Sequence, residues 1–252
     1  MNVVVAFYGH HEYVSNNDPS KLNSWKVAWQ FFVENVYEVN SKHSVKTVFH
    51  TWESDTTDLV STLKPDAYVI DKQSVYSDDD IPSLIKRNPE YRSYAYNNLK
   101  NRLHSMKRAV ELAESYKPDV VLLTRFDCVF NFPVLFESLE LGNNIHAPNW
   151  APLVENYICD HYYVGSYDAM SRFVSVRLTP SVFEPGSEYT KWLKRNDGFG
   201  ENRVNSHILM RWMLESTGLM YVHYGIQGRD TCVARQLQRI ESDEASSIMG
   251  DR

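Results

Sequence analysis

The sequence has little cysteine: Cys128, Cys159 and Cys232 are its three, odd in number, widely spaced and without a CxxC pair. That argues against a disulfide framework and against a zinc site, and it matches reduced thiols in a cytoplasmic compartment. Long apolar runs are missing too. No segment approaches the roughly 20 apolar residues of a membrane span, so no transmembrane segment is expected. The opening MNVVVAFYGHHE lacks the basic start and the long apolar stretch of a signal peptide. Basic charge is not in surplus. Against 32 acidic residues stand 26 Lys and Arg, giving −6 and a pI near 5.8, which argues against nucleic acid or an anionic membrane as the main partner. An anionic substrate must then be held by a local site. Neither GxGxxG nor GxxxxGK[ST] occurs, so no dinucleotide fingerprint or P-loop is present, and no internal repeat or low-complexity block appears.

What is present is enough for one large α/β domain: 252 residues, 43% hydrophobic and 13% aromatic. The chain is organised around Pro118 to Phe130, PDVVLLTRFDCVF. Val120, Val121, Leu122 and Leu123 form the continuous apolar run of a central parallel strand covered on both faces. Arg125 and Asp127 follow where the run stops. Alternation points these two to one side and Thr124 and Phe126 to the other. In open α/β sheets ligands bind outside the carboxyl ends of the strands, and an Asp there is a hard oxygen ligand for Mg2+ or Mn2+ shared with a pyrophosphate. Arg125 is suited to the same anion. An ion pair between Arg125 and Asp127 that merely closes the strand is an equally good account of this stretch.

Asn2 to Phe7 reads as a first parallel strand, and Tyr8-Gly9-His10-His11-Glu12 falls where nucleotide-binding folds receive their ligand. Gly9 lets the backbone approach a ligand there, although a lone Gly is more often only a turn. Trp25, Trp29, Phe32, Val36 and Val39 recur at helical spacing. A strand over 44–52, a helix over 56–63, a strand over 67–71 and a long helix over 91–116 complete an alternation typical of a parallel, doubly covered sheet. Asp78-Asp79-Asp80 lie in a polar stretch, where a solvated loop or helix cap has a better claim than a metal. Further on, 134–139 reads as a short helix and 157–166 as a strand carrying Asp160 and His161, with Tyr162 on the same face as Asp160. Ser166 is placed as an N-cap. Residues 177–200, with two Pro and three Gly, read as a substrate loop. Glu201 opens a helix, 219–224 is a final strand bearing His223, and 225–252 is a charged extension, helical or frayed.

Three blocks in order, Phe49-His50-Thr51-Trp52, Leu122 to Asp127 and Asp160 to Met170, resemble a family of bacterial and viral glycosyltransferase-like proteins with the GT-A fold. The likeness covers about residues 1–224. It implies a single Rossmann-like domain, a nucleotide-diphosphosugar donor across the ends of the first strands near Tyr8 and Gly9, a hydroxyl-bearing glycan as acceptor, and a divalent cation, Mn2+ or Mg2+, on the diphosphate. The family's Asp-x-Asp maps on Arg125-Phe126-Asp127, so Asp127 alone carries over as the metal carboxylate, with Arg125 supplying positive charge itself. His223 matches the family's late metal histidine better than His207 does. Glu201 is the first-ranked general base and Asp160 the second. Arg125 in place of an Asp also keeps open a non-catalytic glycan- or protein-binding module on the same scaffold. A metal-dependent phosphohydrolase using Asp78 to Asp80 is a third reading.

Overall fold

The structure, a computed structural model, describes residues 1–15, 18–76, 81–82, 93–149, 158–196, 206–226 and 231–233. Its centre is a seven-stranded sheet of β1 (Asn2–Tyr8), β4 (Ser44–Trp52), β5 (Ala67–Asp71), β6 (Val120–Arg125), β8 (Asn144–Asn149), β9 (Tyr162–Gly165) and β10 (Met220–Ile226). A hairpin of β2 (Glu12–Ser15) and β3 (Asp18–Ser24) follows β1, and β7 (Cys128–Phe130) pairs antiparallel with β11 (Thr231–Val233). The strand order is β10-β8-β9-β6-β1-β4-β5. β9 alone runs against its neighbours β6 and β8, so the sheet is mostly parallel and Rossmann-like.

The apolar runs form strands because both faces are covered. Val4, Ala6, Tyr8, Val121 and Leu123 enter one core, while Val3, Val5, Phe7, Val120 and Leu122 enter the other. The second face is packed by α1 (Trp25–Phe32), which runs on through a π turn at Val33–Tyr37 and a 3-10 turn at Glu38–Asn40. Its Trp25 and Phe32, with Val36 of the π turn, are buried there. α2 (Thr57–Leu63) adds Leu59 and Leu63 to that core. On the other face lie α3 (Ser93–Ala113), α4 (Tyr167–Ser175), α5 (Glu188–Asn196) and α6 (Ser206–Ser216). Met106, Val110, Met170, Phe173, Leu193 and Ile208 are fully or almost fully buried among them. Each such side chain withdrawn from water contributes about 1.5–3 kcal/mol.

Several expectations shift. The stretch 157–166 is a strand only from Tyr162, with Ile158 making an isolated bridge, so Asp160 and His161 precede β9 on a bend and share no strand face with Tyr162. Tyr162 is buried and donates to the Tyr224 carbonyl. The expected helix over 134–139 is a single 3-10 turn, Phe136–Ser138. Much of 177–200 is ordered as a 3-10 turn, Pro180–Phe183, and α5. Beyond β10, Thr231–Val233 is a strand rather than a helix. Asp78 to Asp80 and Glu201 lie outside the described residues. Among the described residues no helix is long and apolar enough to cross a membrane.

Strand order sets where a ligand can sit. From β1 the chain steps outward through β4 to β5 and then returns to place β6 on the opposite side of β1. In sheets of this kind ligands bind where the strand order reverses, which here is beyond the carboxyl ends of β1 and β6.

Candidate active site at the carboxyl ends of the strands

Parallel register aligns one row of side chains at this edge: Tyr8 pairs with Arg125 on one side and with His50 on the other. Paired residues share a face, here the face covered by α3. Gly9 ends β1 with φ +94, a left-handed conformation that a residue with a Cβ adopts only under strain. Its N–H donates to Ser105 Oγ at 2.8 Å and its carbonyl accepts from Thr51 Oγ1 at 2.9 Å. The turn after β1 is thus tied to α3 and β4.

Asp127 lies in the turn Phe126–Asp127, 2% exposed. Arg125 clasps it as a fork, Nε to Oδ1 at 2.8 Å and Nη2 to Oδ2 at 2.7 Å. Phe126 turns to the opposite face and stacks on Phe7 at 5.3 Å. Asp160, 5% exposed, is hydrogen-bonded by Arg102 Nη1 and lies 3.7 Å from Arg125 Nη1. The Tyr8 hydroxyl donates to the Asp160 carbonyl at 2.9 Å. His207 Nδ1 is 2.8 Å from the Ile158 carbonyl. Two guanidinium groups and two carboxylates therefore alternate in one cluster with no net charge.

Burial would raise the Asp160 pKa, but the guanidinium groups of Arg102 and Arg125 outweigh it and hold the carboxyl well below its ordinary range. His161 is pushed down to about 4, chiefly by burial. Burial also lowers His207, with Asp160 opposing. The Tyr8 phenol is driven far up by burial and the Asp160 charge. Near neutral pH the cluster holds ionised Asp160 beside neutral imidazoles.

His223 lies elsewhere. It is exposed on β10, at the sheet edge, its ring against Tyr221 at 4.6 Å, and burial and Arg211 lower its pKa. β8 and β9 stand between it and β6, three inter-strand steps of about 4.8 Å each. Among the described residues, neither Asp127 nor His223 belongs to any group of three metal-ligating side chains. With both oxygens of Asp127 taken by Arg125, this pair does not fit Mn2+ or Mg2+, which need accessible oxygen donors.

The structure thus gathers Tyr8, Gly9, Arg125, Asp127 and Asp160, and leaves His223 apart. Sequence reasoning missed Arg102 and Ser105, one turn apart on α3, and passed over His207. A signal was available: Asn101 and Ser105, at i and i+4, are polar residues on an otherwise apolar helix face, and both are buried. A second polar group stands beside the first, where β4 and β5 end. His50 Nε2 and His104 Nε2 lie 3.1 and 3.2 Å from the same oxygen of Asp71, and His50 Nδ1 is 2.7 Å from Ser105 Oγ. Burial, partly offset by Asp71, lowers the His50 pKa. His11, by contrast, is a packed residue, its ring nitrogens 3.3 Å from Thr51 Oγ1 and 3.0 Å from the Asp55 carbonyl.

No protein-family profile matches the sequence, and no curated protein matches it. Among solved structures, the chain is similar to a "putative nucleotide-diphospho-sugar transferase" from Desulfovibrio desulfuricans G20. The two share 11% identity with a TM-score of 0.42, over 89% of this chain and 80% of that one. So distant a likeness bears on neither the activity nor the site.

Proposed function

We propose that this chain is a glycosyltransferase of GT-A type, one domain over about residues 1–224, that moves a sugar from a nucleotide-diphosphosugar to a hydroxyl acceptor. The observation that carries this reading is the convergence of Arg125, Asp127, Arg102 and Asp160 at the reversal of strand order, beside the turn of Tyr8 and Gly9. As the glycosidic bond breaks, negative charge grows on the departing diphosphate, and fixed donors aimed at it lower the barrier. Arg125 and Arg102 are those donors. Asp127 orients the Arg125 guanidinium, as a buried carboxylate accepting both its N–H groups does. Gly9 brings the main chain close to the nucleotide. Asp160, held ionised, is a poor acceptor for a hydroxyl proton near neutral pH, so its part is to position Arg102 and Arg125. On the family resemblance, Glu201 takes the acceptor proton.

Calorimetric titration of UDP- and GDP-sugars, with and without Mn2+, tests the reading. Saturable binding of one donor that Arg125→Lys weakens by about tenfold is the expected result, because Lys cannot reproduce the fork. Absence of binding to every donor overturns it. The engaged state of Asp127 favours one other reading, a non-catalytic binding module on this scaffold. Hydrolysis of donor in the absence of acceptor separates the two.

A further inference from the structure

We propose that His50, Asp71 and His104 form a site for a divalent transition ion, taking Zn2+ or Co2+ in preference to Mg2+ or Ca2+. The three side chains come from β4, β5 and α3, and their ligand atoms all lie within 4.8 Å of one another. Bonds of about 2.0–2.2 Å to Zn2+, meeting near the tetrahedral angle, separate neighbouring donors by roughly 3.3 Å. The two imidazole nitrogens already stand 3.1 and 3.2 Å from Asp71 Oδ2. Two imidazoles with one carboxylate are a donor set for Zn2+ and its transition-metal neighbours, whereas Mg2+ and Ca2+ require oxygen.

The surroundings fix the rings as a metal site requires. Ser105 Oγ holds His50 Nδ1 at 2.7 Å, an outer contact that aims Nε2 at Asp71. Trp52 stacks on His104, centroids 5.7 Å apart, and meets the edge of His50 at 4.9 Å. His50 is fully buried, but the side chains of Asp71 and His104 are 34% and 48% exposed, so an ion can enter from solvent and water can fill its remaining positions. Arg108 Nε lies 3.6 Å from Asp71 Oδ2 and opposes a cation there, yet its Nη1 already donates to Glu111 at 2.9 Å, a carboxylate to which the exposed guanidinium can withdraw. Through Ser105, which also holds the Gly9 N–H, the site is coupled to the turn after β1. Its three ligand residues are distinct from Asp127 and from those proposed to meet the donor.

The test is equilibrium dialysis and Co2+ absorption spectroscopy on the metal-free 252-residue chain, with a Zn2+ competition titration. One Co2+ per chain is expected, with ligand-field bands that Zn2+ abolishes and excess Mg2+ does not. His104→Ala, a half-exposed change that leaves the core intact, and Asp71→Asn should each weaken the ion at least tenfold, while His223→Ala should leave it unchanged. No saturable uptake of Zn2+ or Co2+, or uptake that neither His104→Ala nor Asp71→Asn alters, overturns the proposal. Both readouts are independent of transferase activity, so donor binding can fail while this site stands, and the reverse.

Discussion

At the scale of single residues, what matters is which partner each ionised group already has. Asp127 is buried with Arg125 as a two-pronged partner. A carboxylate withdrawn from water depends on such charge-assisted hydrogen bonds to offset its lost hydration. Arg125→Leu removes the two-pronged partner of the buried Asp127 carboxylate and should lower unfolding free energy by about 3–5 kcal/mol. Arg125→Leu combined with Asp127→Leu removes both charges together and should recover most of that loss. Urea melts of the single and double variants measure the difference. Equal destabilisation in both would mean that the pair contributes through packing alone. The pair was legible in the sequence only as two charges closing an apolar run; β6 ends at Arg125 and Asp127 lies in the turn after it, so the turn and not strand alternation brings the carboxylate back to the guanidinium. Their bidentate geometry was not legible, since a side chain's rotamer is set by neighbours that sequence spacing does not reveal.

At the scale of elements, local signals proved reliable where the cause is local. Ser166 accepts from the Ala169 N–H at 3.2 Å and caps α4, and it donates to the Gly142 carbonyl at 3.0 Å. The second bond fastens the start of the helix to the turn before β8. Ser166→Ala should cost about 1 kcal/mol, read as a lower urea midpoint with an unchanged slope. A midpoint within error of the parent would show that the cap is replaced by water at no cost. The reversed direction of β9 had no such local cause. Tyr162 to Gly165 is as fully buried as the central parallel strands, and the antiparallel pairing with β6 and β8 is decided by the path of the chain around it. At the end of β9, Gly165 leaves no room for a side chain: an added Cβ would stand 2.6 Å from Ile145 Cδ1 and 3.1 Å from the Asn144 carbonyl. Arg102 and His207 were hidden for the same reason. Each sits on a helix whose pattern reads as core packing, and only the folded topology carries it to Asp160.

For the whole molecule, the ionisable groups that folding perturbs define a window of acidity in which the fold holds. His10, His50, His161, His207 and His223 all have lowered pKa values, mainly through burial. Below the ordinary histidine value the unfolded chain takes up protons that the folded chain refuses, so stability declines as pH drops. For His161, whose folded value is about 4 against 6.5, the loss is complete at the lower figure and amounts to about 3 kcal/mol. Asp160, held low by its arginines, adds to the decline once pH passes below about 3.9, where the unfolded carboxylate takes its proton. Burial acts in the opposite sense on the thiols of Cys128 and Cys159, which it pushes up. Above about 8.5 the unfolded thiols ionise while the folded ones do not, and stability drops again. The maximum should therefore lie between about pH 6.5 and 8.5, above the pI near 5.8. Urea midpoints measured from pH 4 to 9 check this, and His161→Gln should flatten the acid limb. A curve that peaks at the pI, or an acid limb unchanged by His161→Gln, would mean that the imidazole is not held neutral beside Asp160, and the charge balance derived for the Arg102, Arg125, Asp127 and Asp160 cluster would have to be redrawn with one more positive charge.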